Sequence, residues 1–248
     1  MRKTILALSG RKGSGKNTLA QFITQYYKTH YEDSVFECSF ADTLKEFCIE
    51  TLGLSYEQCY GTNEQKNSFT HYNWENFEPY FRWKFGSKKL KNYSTNETIT
   101  LENSPKLRLQ FYMKCFSEGW HPLDTKQGKV TAREILQLFG TEIIRETFGN
   151  VWAESTLRKI LKKNCSLSII TDNRFPSEID AILKEENGYI IRLTRSPYGQ
   201  ADTHDSEASL DNFDWSIDKC FLLDNSDLTV SEQNERVIPV LEKICNGV

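Results

Sequence analysis

One stretch near the start of the chain constrains the fold more than any other. Thr4-Ile5-Leu6-Ala7-Leu8 leads into Gly10-Arg11-Lys12-Gly13-Ser14-Gly15-Lys16-Asn17-Thr18, and Leu19-Ala20-Gln21-Phe22-Ile23 follows. The first piece is a short apolar run with no polar alternation, as a strand buried on both faces of a parallel sheet requires. The last piece opens a helix. Between them, glycines let backbone N–H groups turn toward an anion without interference from a Cβ. The helix N-terminus adds free donors and partial positive charge. Lys16 supplies a full charge suited to β- and γ-phosphates, so the stretch reads as a nucleotide-phosphate loop. Ser or Thr usually follows that lysine and binds Mg²⁺; here Asn17 follows, with Thr18 one later. Both are candidates for the metal, held through water, which this ion tolerates well.

The same alternation continues. Strands are expected over Thr4–Leu8, Val35–Phe40, Leu167–Thr171, Tyr189–Leu193 and Cys220–Leu223. Helices are expected over Asn17–Tyr27, Asp42–Leu52, Thr131–Phe148, Trp152–Leu161, Pro176–Glu186 and Val230–Cys245. Thr131-Ala132-Arg133-Glu134 is a capping box, and Pro176 sits where a helix accepts proline. Strands alternating with helices imply an α/β fold, a parallel sheet covered on both faces. Residues 55–130 read differently: polar, aromatic and weakly periodic, with one helix over Lys106–Phe116 and a surface hairpin around Gly119–Gly128. They are expected to be a mostly helical, substrate-binding insertion on a single domain whose core is 1–54 and 131–248.

Composition removes several classes of function. The chain has 248 residues, 38% of them hydrophobic and 12% aromatic, which suffices for one sizeable core. A net charge of −3 argues against a nucleic-acid polymer as partner, because that needs a broad basic surface. The cations and aromatics of Arg82-Trp83-Lys84-Phe85, with Lys88, Lys89 and Lys91, then read as a solvated face and not a single-strand platform. The seven cysteines include no Cys-x-x-Cys pair and the four histidines are scattered, so metal-ligand spacing is absent. Free thiols fit a reducing, cytoplasmic setting. Neither a signal peptide nor a membrane span is expected.

Further chemistry is expected where strands end. Thr171-Asp172-Asn173-Arg174-Phe175-Pro176-Ser177-Glu178 closes one of them, and in open parallel sheets ligands bind beyond such carboxyl ends. Asp172 could orient metal-bound water or a substrate, and Arg174 could clamp a phosphate bidentately. Lys45, read as lying in the first turn of a helix, opposes the dipole unless an anion is bound nearby. Arg133, Gly140, Thr141 and Arg145 line one helix, where Gly140 costs about 1 kcal/mol relative to alanine unless a close approach compensates. The polar run after Arg192, including Arg195 and His204, has the character of a lid over residues 195–210 that excludes water.

Together these residues resemble the deoxynucleoside monophosphate kinases of tailed bacteriophages, within the P-loop kinase superfamily. The matching pieces are the glycine loop, Phe40-Ala-Asp-Thr-Leu-Lys45, Tyr60-Gly-Thr-Asn-Glu-Gln-Lys66-Asn67, the Phe-Gly-Thr141 helix, Asn150-Val-Trp152, Thr171 to Glu178, and Thr203-His-Asp-Ser-Glu207, in the family's order. The resemblance implies ATP at Lys12, Gly13, Ser14, Gly15, Lys16, Asn17 and Thr18. It implies monophosphate contacts from Lys45, Lys66, Arg133, Gly140, Thr141, Trp152, Asp172, Arg174 and Glu178. On this reading Lys16, Asp172 and Arg174 are catalytic, Arg195 or Arg192 closes over the donor, and the cofactors are ATP and Mg²⁺. A dNMP is the small-molecule partner, and related enzymes suggest a homodimer. The family's loop usually reads Gly-Lys-Asp-Thr, so Asn17 is a departure. The animal-type phosphomevalonate kinase is similar in the loop, the Leu-Lys element and the Asp-x-Arg strand end, and a regulatory ATPase is the alternative of another class.

Overall fold

The computed structural model describes residues 3–31, 34–102, 106–197 and 209–246. The chain divides into two compact units, Met1–Glu46 with Ile144–Val248, and Phe47–Ile143. Along the chain come β1 (Thr4–Ser9), α1 (Lys16–Tyr31), β2 (Val35–Cys38) and α2 (Phe40–Glu50). Next are α3 (Tyr56–Tyr60), α4 (Asn63–Lys66), β3 (Phe69–Asn73), α5 (Pro79–Lys84) and β4 (Lys89–Asn92). They are followed by β5 (Glu97–Thr100), α6 (Leu107–Ser117), β6 (Trp120–Pro122), β7 (Lys129–Thr131) and α7 (Ala132–Gln137). A π-helical stretch, Leu138–Ile143, leads into α8 (Ile144–Phe148), α9 (Val151–Lys162) and β8 (Leu167–Asn173). The last elements are α10 (Pro176–Leu183), β9 (Gly188–Leu193), β10 (Cys220–Leu223) and α11 (Val230–Asn246).

The first unit holds a five-stranded parallel sheet in the order β10-β9-β1-β8-β2. All six residues of β1 are buried, and alternate side chains serve two layers. Leu6, Leu8, Ile169 and Ile191 pack under Leu19 and Ile23 of α1 and Val237 and Leu241 of α11. Ile5, Ala7, Ile170 and Ile190 pack under Leu157 and Ile160 of α9 and Ile179 and Ile182 of α10. From the central β1 the chain runs out to β2, returns beside β1 as β8, and crosses to β9 and β10. The carboxyl ends of β1 and β8 therefore flank the switch point where open α/β sheets take their ligands.

Two expectations need correction here. The strand expected over Val35–Phe40 stops at Cys38, and the following helix starts at Phe40, not Asp42. The cause is a cap distant in sequence: the Asp172 carboxylate accepts from the amides of Phe40 (2.7 Å) and Ala41 (3.0 Å). The single helix expected over Thr131–Phe148 is broken by the π stretch around Gly140, a distortion often found at functional sites.

The second unit holds two small antiparallel sheets, β3-β7 and β5-β4-β6. Its core is aromatic. Trp74, Tyr80, Trp83 and Phe111 are almost wholly buried, and the Trp83 indole N–H donates to the Lys89 carbonyl (2.9 Å). α6 lies within one residue of its expected position. The hairpin expected around Gly119–Gly128 does not form, because β6 pairs with β4 and β7 with β3. Strands of three to five residues carry too little alternation to show such pairings.

Candidate active site

The loop after β1 is shaped by three glycines in the left-handed φ range, Gly10 (+153°), Gly13 (+77°) and Gly15 (+98°). Gly10 holds a φ that side-chain-bearing residues rarely adopt, and a Cβ there would lie 3.1 Å from the Leu193 carbonyl oxygen and 2.4 Å from the Ser14 hydroxyl, so the turn favours glycine. The Ser14 amide donates to the Arg11 carbonyl (3.1 Å) and closes it. Lys16 lies further inside than the sequence suggests. It is 9% exposed, and its ammonium donates to the carbonyls of Gly10 (2.7 Å) and Arg11 (2.9 Å). No acidic residue occupies the first turn of α1, so the loop's positive potential is not cancelled there. Lys12, Asn17 and Thr18 are exposed.

Several residues that support this loop carry no mark in the sequence. Asn225, fully buried just after β10, donates to the Ser14 carbonyl (2.9 Å) and to the Gln233 side chain (2.6 Å), which is itself 3% exposed. The pair backs Gly15, where a Cβ would sit 3.4 Å from the Gln233 oxygen. Arg195 is tied to the same turn. Its amide donates to the Asn225 side-chain oxygen (2.9 Å), and its guanidinium donates to the carbonyls of Asn225 (3.1 Å) and Leu228. Arg192 donates to the Ser9 hydroxyl (3.1 Å) and stacks over Trp215 (5.2 Å). Arg11 forms a two-pronged pair with Asp211. Burial of a polar strand-end residue such as Asn225 was the only available clue, and burial is not written in the sequence. Residues 198–208 of the expected lid, with His204 and the Thr203–Glu207 motif, lie outside the described residues.

At the end of β8, Asp172 caps α2 as described above. Its carboxyl is desolvated by the surrounding protein, and this pushes its pKa up against the pull of the two amides, Arg174 and Lys45. Lys45 falls in the second turn of α2, not the first, and pairs with Asp42 (3.3 Å). The helix dipole therefore opposes Lys45 less than it would in the first turn. Glu178, 2% exposed, accepts from the amides of Arg174 (2.8 Å) and Phe175 (3.1 Å) and from the Arg145 guanidinium (2.7 Å). Burial again pushes its carboxyl up, with Arg145 opposing and Asp172 adding to the shift. Arg145 also stacks on the Phe175 ring at 3.8 Å. Trp152 is buried in the first turn of α9.

In the second unit, Arg133 sits in the first turn of α7 and Lys66 ends α4. Gly140 and Thr141 lie in the π stretch, with Gly140 buried. The neighbouring Glu142, 5% exposed, pairs with Lys84.

The raised Asp172 pKa has a testable sign. A carboxyl with a higher pKa in the folded state binds more protons there than in the unfolded chain. Its contribution to stability is present below the ordinary carboxylate value of about 4 and is lost as pH rises through the folded value. The stability of the natural chain relative to Asp172→Asn should therefore improve as pH is lowered from 7 toward 4, read from melting temperatures of both proteins. A stability of the natural chain relative to Asp172→Asn that stays constant or falls as pH is lowered would show that this carboxyl is not raised.

The glycine turn, its buried lysine and the Asp172–Arg174 strand end occupy the switch point of one parallel sheet. A sequence model of the family "deoxynucleotide monophosphate kinase" matches residues 4–228. The chain belongs to that family. A protein of Acanthamoeba polyphaga mimivirus, named as a candidate deoxynucleotide monophosphate kinase, is 29% identical over 218 residues, covering 83% of this chain and 81% of its own. The family's kinase chemistry implies ATP, with a small nucleotide as acceptor. The parallel sheet with its flanking helices is a P-loop kinase fold. Among the described residues no three His, Cys, Asp or Glu side chains could together hold a metal, and no helix is long and apolar enough to cross a membrane. Asn17 and Thr18, both exposed at the start of α1, offer neutral oxygens of a kind that bonds to the water shell of a hard cation.

Proposed function

We propose that the chain transfers the γ-phosphoryl group of ATP to the 5′-phosphate of a deoxynucleoside monophosphate. The observation that carries this reading is the glycine turn with Lys16 at the carboxyl end of β1, beside the Asp172–Arg174 end of β8, in a member of this family. Phosphoryl transfer leaves the protein little covalent work; it positions two anions in line and offsets the charge that spreads over the moving group. Residues Lys12 to Thr18 hold the donor, with loop amides on its phosphates. Lys16 exchanges the carbonyls of Gly10 and Arg11 for β- and γ-oxygens. Arg195, anchored on the turn at Asn225, serves the donor as well.

In the first unit, Arg174 and Lys45 meet the acceptor's phosphate, while Trp152, Asp172 and Glu178 fix the walls and the strand end. In the second unit, Arg133 serves the acceptor's phosphate, and Lys66, Gly140 and Thr141 serve the acceptor. Mg²⁺, held through water by Asn17 and Thr18, would neutralise phosphate oxygens when bound. The acceptor phosphate is already ionised at pH 7, so no strong general base is needed.

The test is incubation with labelled ATP and each common dNMP in turn. Label is expected in a deoxynucleoside diphosphate, at a rate set by which dNMP is present. Label released only as inorganic phosphate, at a rate indifferent to dNMP, would remove the reading.

A further inference from the structure

Among the described residues, two side chains hold the Arg133 guanidinium in the second unit, and neither is charged. Its Nε donates to the Asn67 side-chain oxygen (2.8 Å), and one Nη donates to the Asn63 side-chain oxygen (3.0 Å). Two amide oxygens thus grip the guanidinium as the two oxygens of a carboxylate would, at the same hydrogen-bond lengths. The difference is electrostatic. A carboxylate in that place would cancel the cation, whereas the two asparagines fix its direction and leave its charge intact.

Local structure explains how three residues far apart in sequence meet. The Ala132 amide donates to the Ser68 carbonyl (3.0 Å) beside the β3–β7 pairing, in which Phe69 lies opposite Thr131. That register places Asn67, one residue before Ser68, alongside Arg133, one residue after Ala132. Asn63 comes one helical turn before Asn67, and α4 is fixed by a capping box between Thr62 and Gln65. The first-turn acid of α7 is kept away from Arg133. Glu134 accepts from the Thr131 amide (2.9 Å) in a capping box and from Lys126 (3.0 Å).

We propose that Asn63 and Asn67 are positioning residues that aim Arg133 while leaving its full charge to the phosphate of the acceptor. This rests on the acceptor role given to Arg133 above. A merely structural clasp predicts the opposite response to charge, because aspartate accepts these two bonds at least as well as asparagine.

The test is steady-state kinetics of Asn67→Asp, Asn63→Asp and the corresponding alanine variants, with dNMP and ATP varied separately. Both positions are exposed, and melting temperatures of all four variants should stay close to that of the natural chain. The aspartate variants should raise KM for dNMP by roughly tenfold, the size of one close opposing charge, with kcat and KM for ATP little changed. The penalty should shrink as salt is added. It should also vanish when binding of the phosphate-free deoxynucleoside is measured by calorimetry. The alanine variants should raise KM less, through lost direction alone. Aspartate variants with unchanged or lower KM for dNMP would overturn the assignment while leaving the kinase reading standing. A natural chain that binds no dNMP would overturn both.

Discussion

Replacing Lys16 by methionine should lower phosphoryl transfer by at least a hundredfold to a thousandfold, the loss typical when a preorganised group that stabilises transition-state charge is removed. The loop amides would still face the donor, but they carry only partial charges. On the proposed reading, Lys16 meets the charge that moves onto the bridging and terminal oxygens with a full cation, released from the carbonyls of Gly10 and Arg11 as the donor binds. Methionine is preferred to alanine because the side chain is 9% exposed, and its stem fills space that alanine would leave empty. The ammonium also clasps the carbonyls of Gly10 and Arg11, so a small effect on stability is expected from those lost bonds. Transfer rate and melting temperature separate the two effects. Turnover within about tenfold of the natural chain, in a folded protein, would defeat the role given to Lys16.

The parts of this fold that were legible in sequence are those encoded locally. The strand, glycine turn and helix at the amino end announce themselves because each glycine meets a backbone demand that few other residues can. Cys220–Leu223 was legible to the residue because a short apolar run with sharp ends has few alternatives. What stayed hidden depends on partners distant in sequence. The start of α2 is set by Asp172, 132 residues away, and with it the position of Lys45 in its helix. Asn225 and Gln233 look like ordinary loop and helix residues until they are seen buried behind the glycine turn. The clasp on Arg133 is invisible for another reason: asparagine is common in turns, and nothing in a sequence tells a capping amide from one that aims a cation. In the sequence Arg145 reads as part of a helix lined with ligand-binding groups. Its engagement with Glu178 and Phe175 came only from the packing of α8 against the start of α10.

Arg145→Ala should cost the protein about 3–5 kcal/mol of stability, because it removes one member of a buried ion pair and strands the other. Glu178 is 2% exposed and Arg145 about one-sixth exposed, so water cannot fully replace the lost partner. The acid also accepts the amides of Arg174 and Phe175, which hold it in place after the arginine is gone. Its other oxygen would then face protein with no cation. Stacking of the guanidinium on Phe175 is lost as well. For a domain of this size, the melting temperature should fall by roughly 10 °C. The sign with pH follows from burial, which already favours the protonated acid. Without Arg145 the proton is held more strongly, so the penalty should be largest near pH 7 and should shrink toward pH 4, where the stranded group is neutral. The double variant Arg145→Met with Glu178→Gln removes both charges and should recover much of the loss, since an uncharged pair of similar volume leaves nothing ionised in the interior. Melting curves of the three proteins across that pH range decide the matter. A single variant that melts with the natural chain at every pH would show that the pair contributes nothing. A double variant worse than the single one would show that the Glu178 carboxylate, bonded to the amides of Arg174 and Phe175, contributes more than its stranding costs.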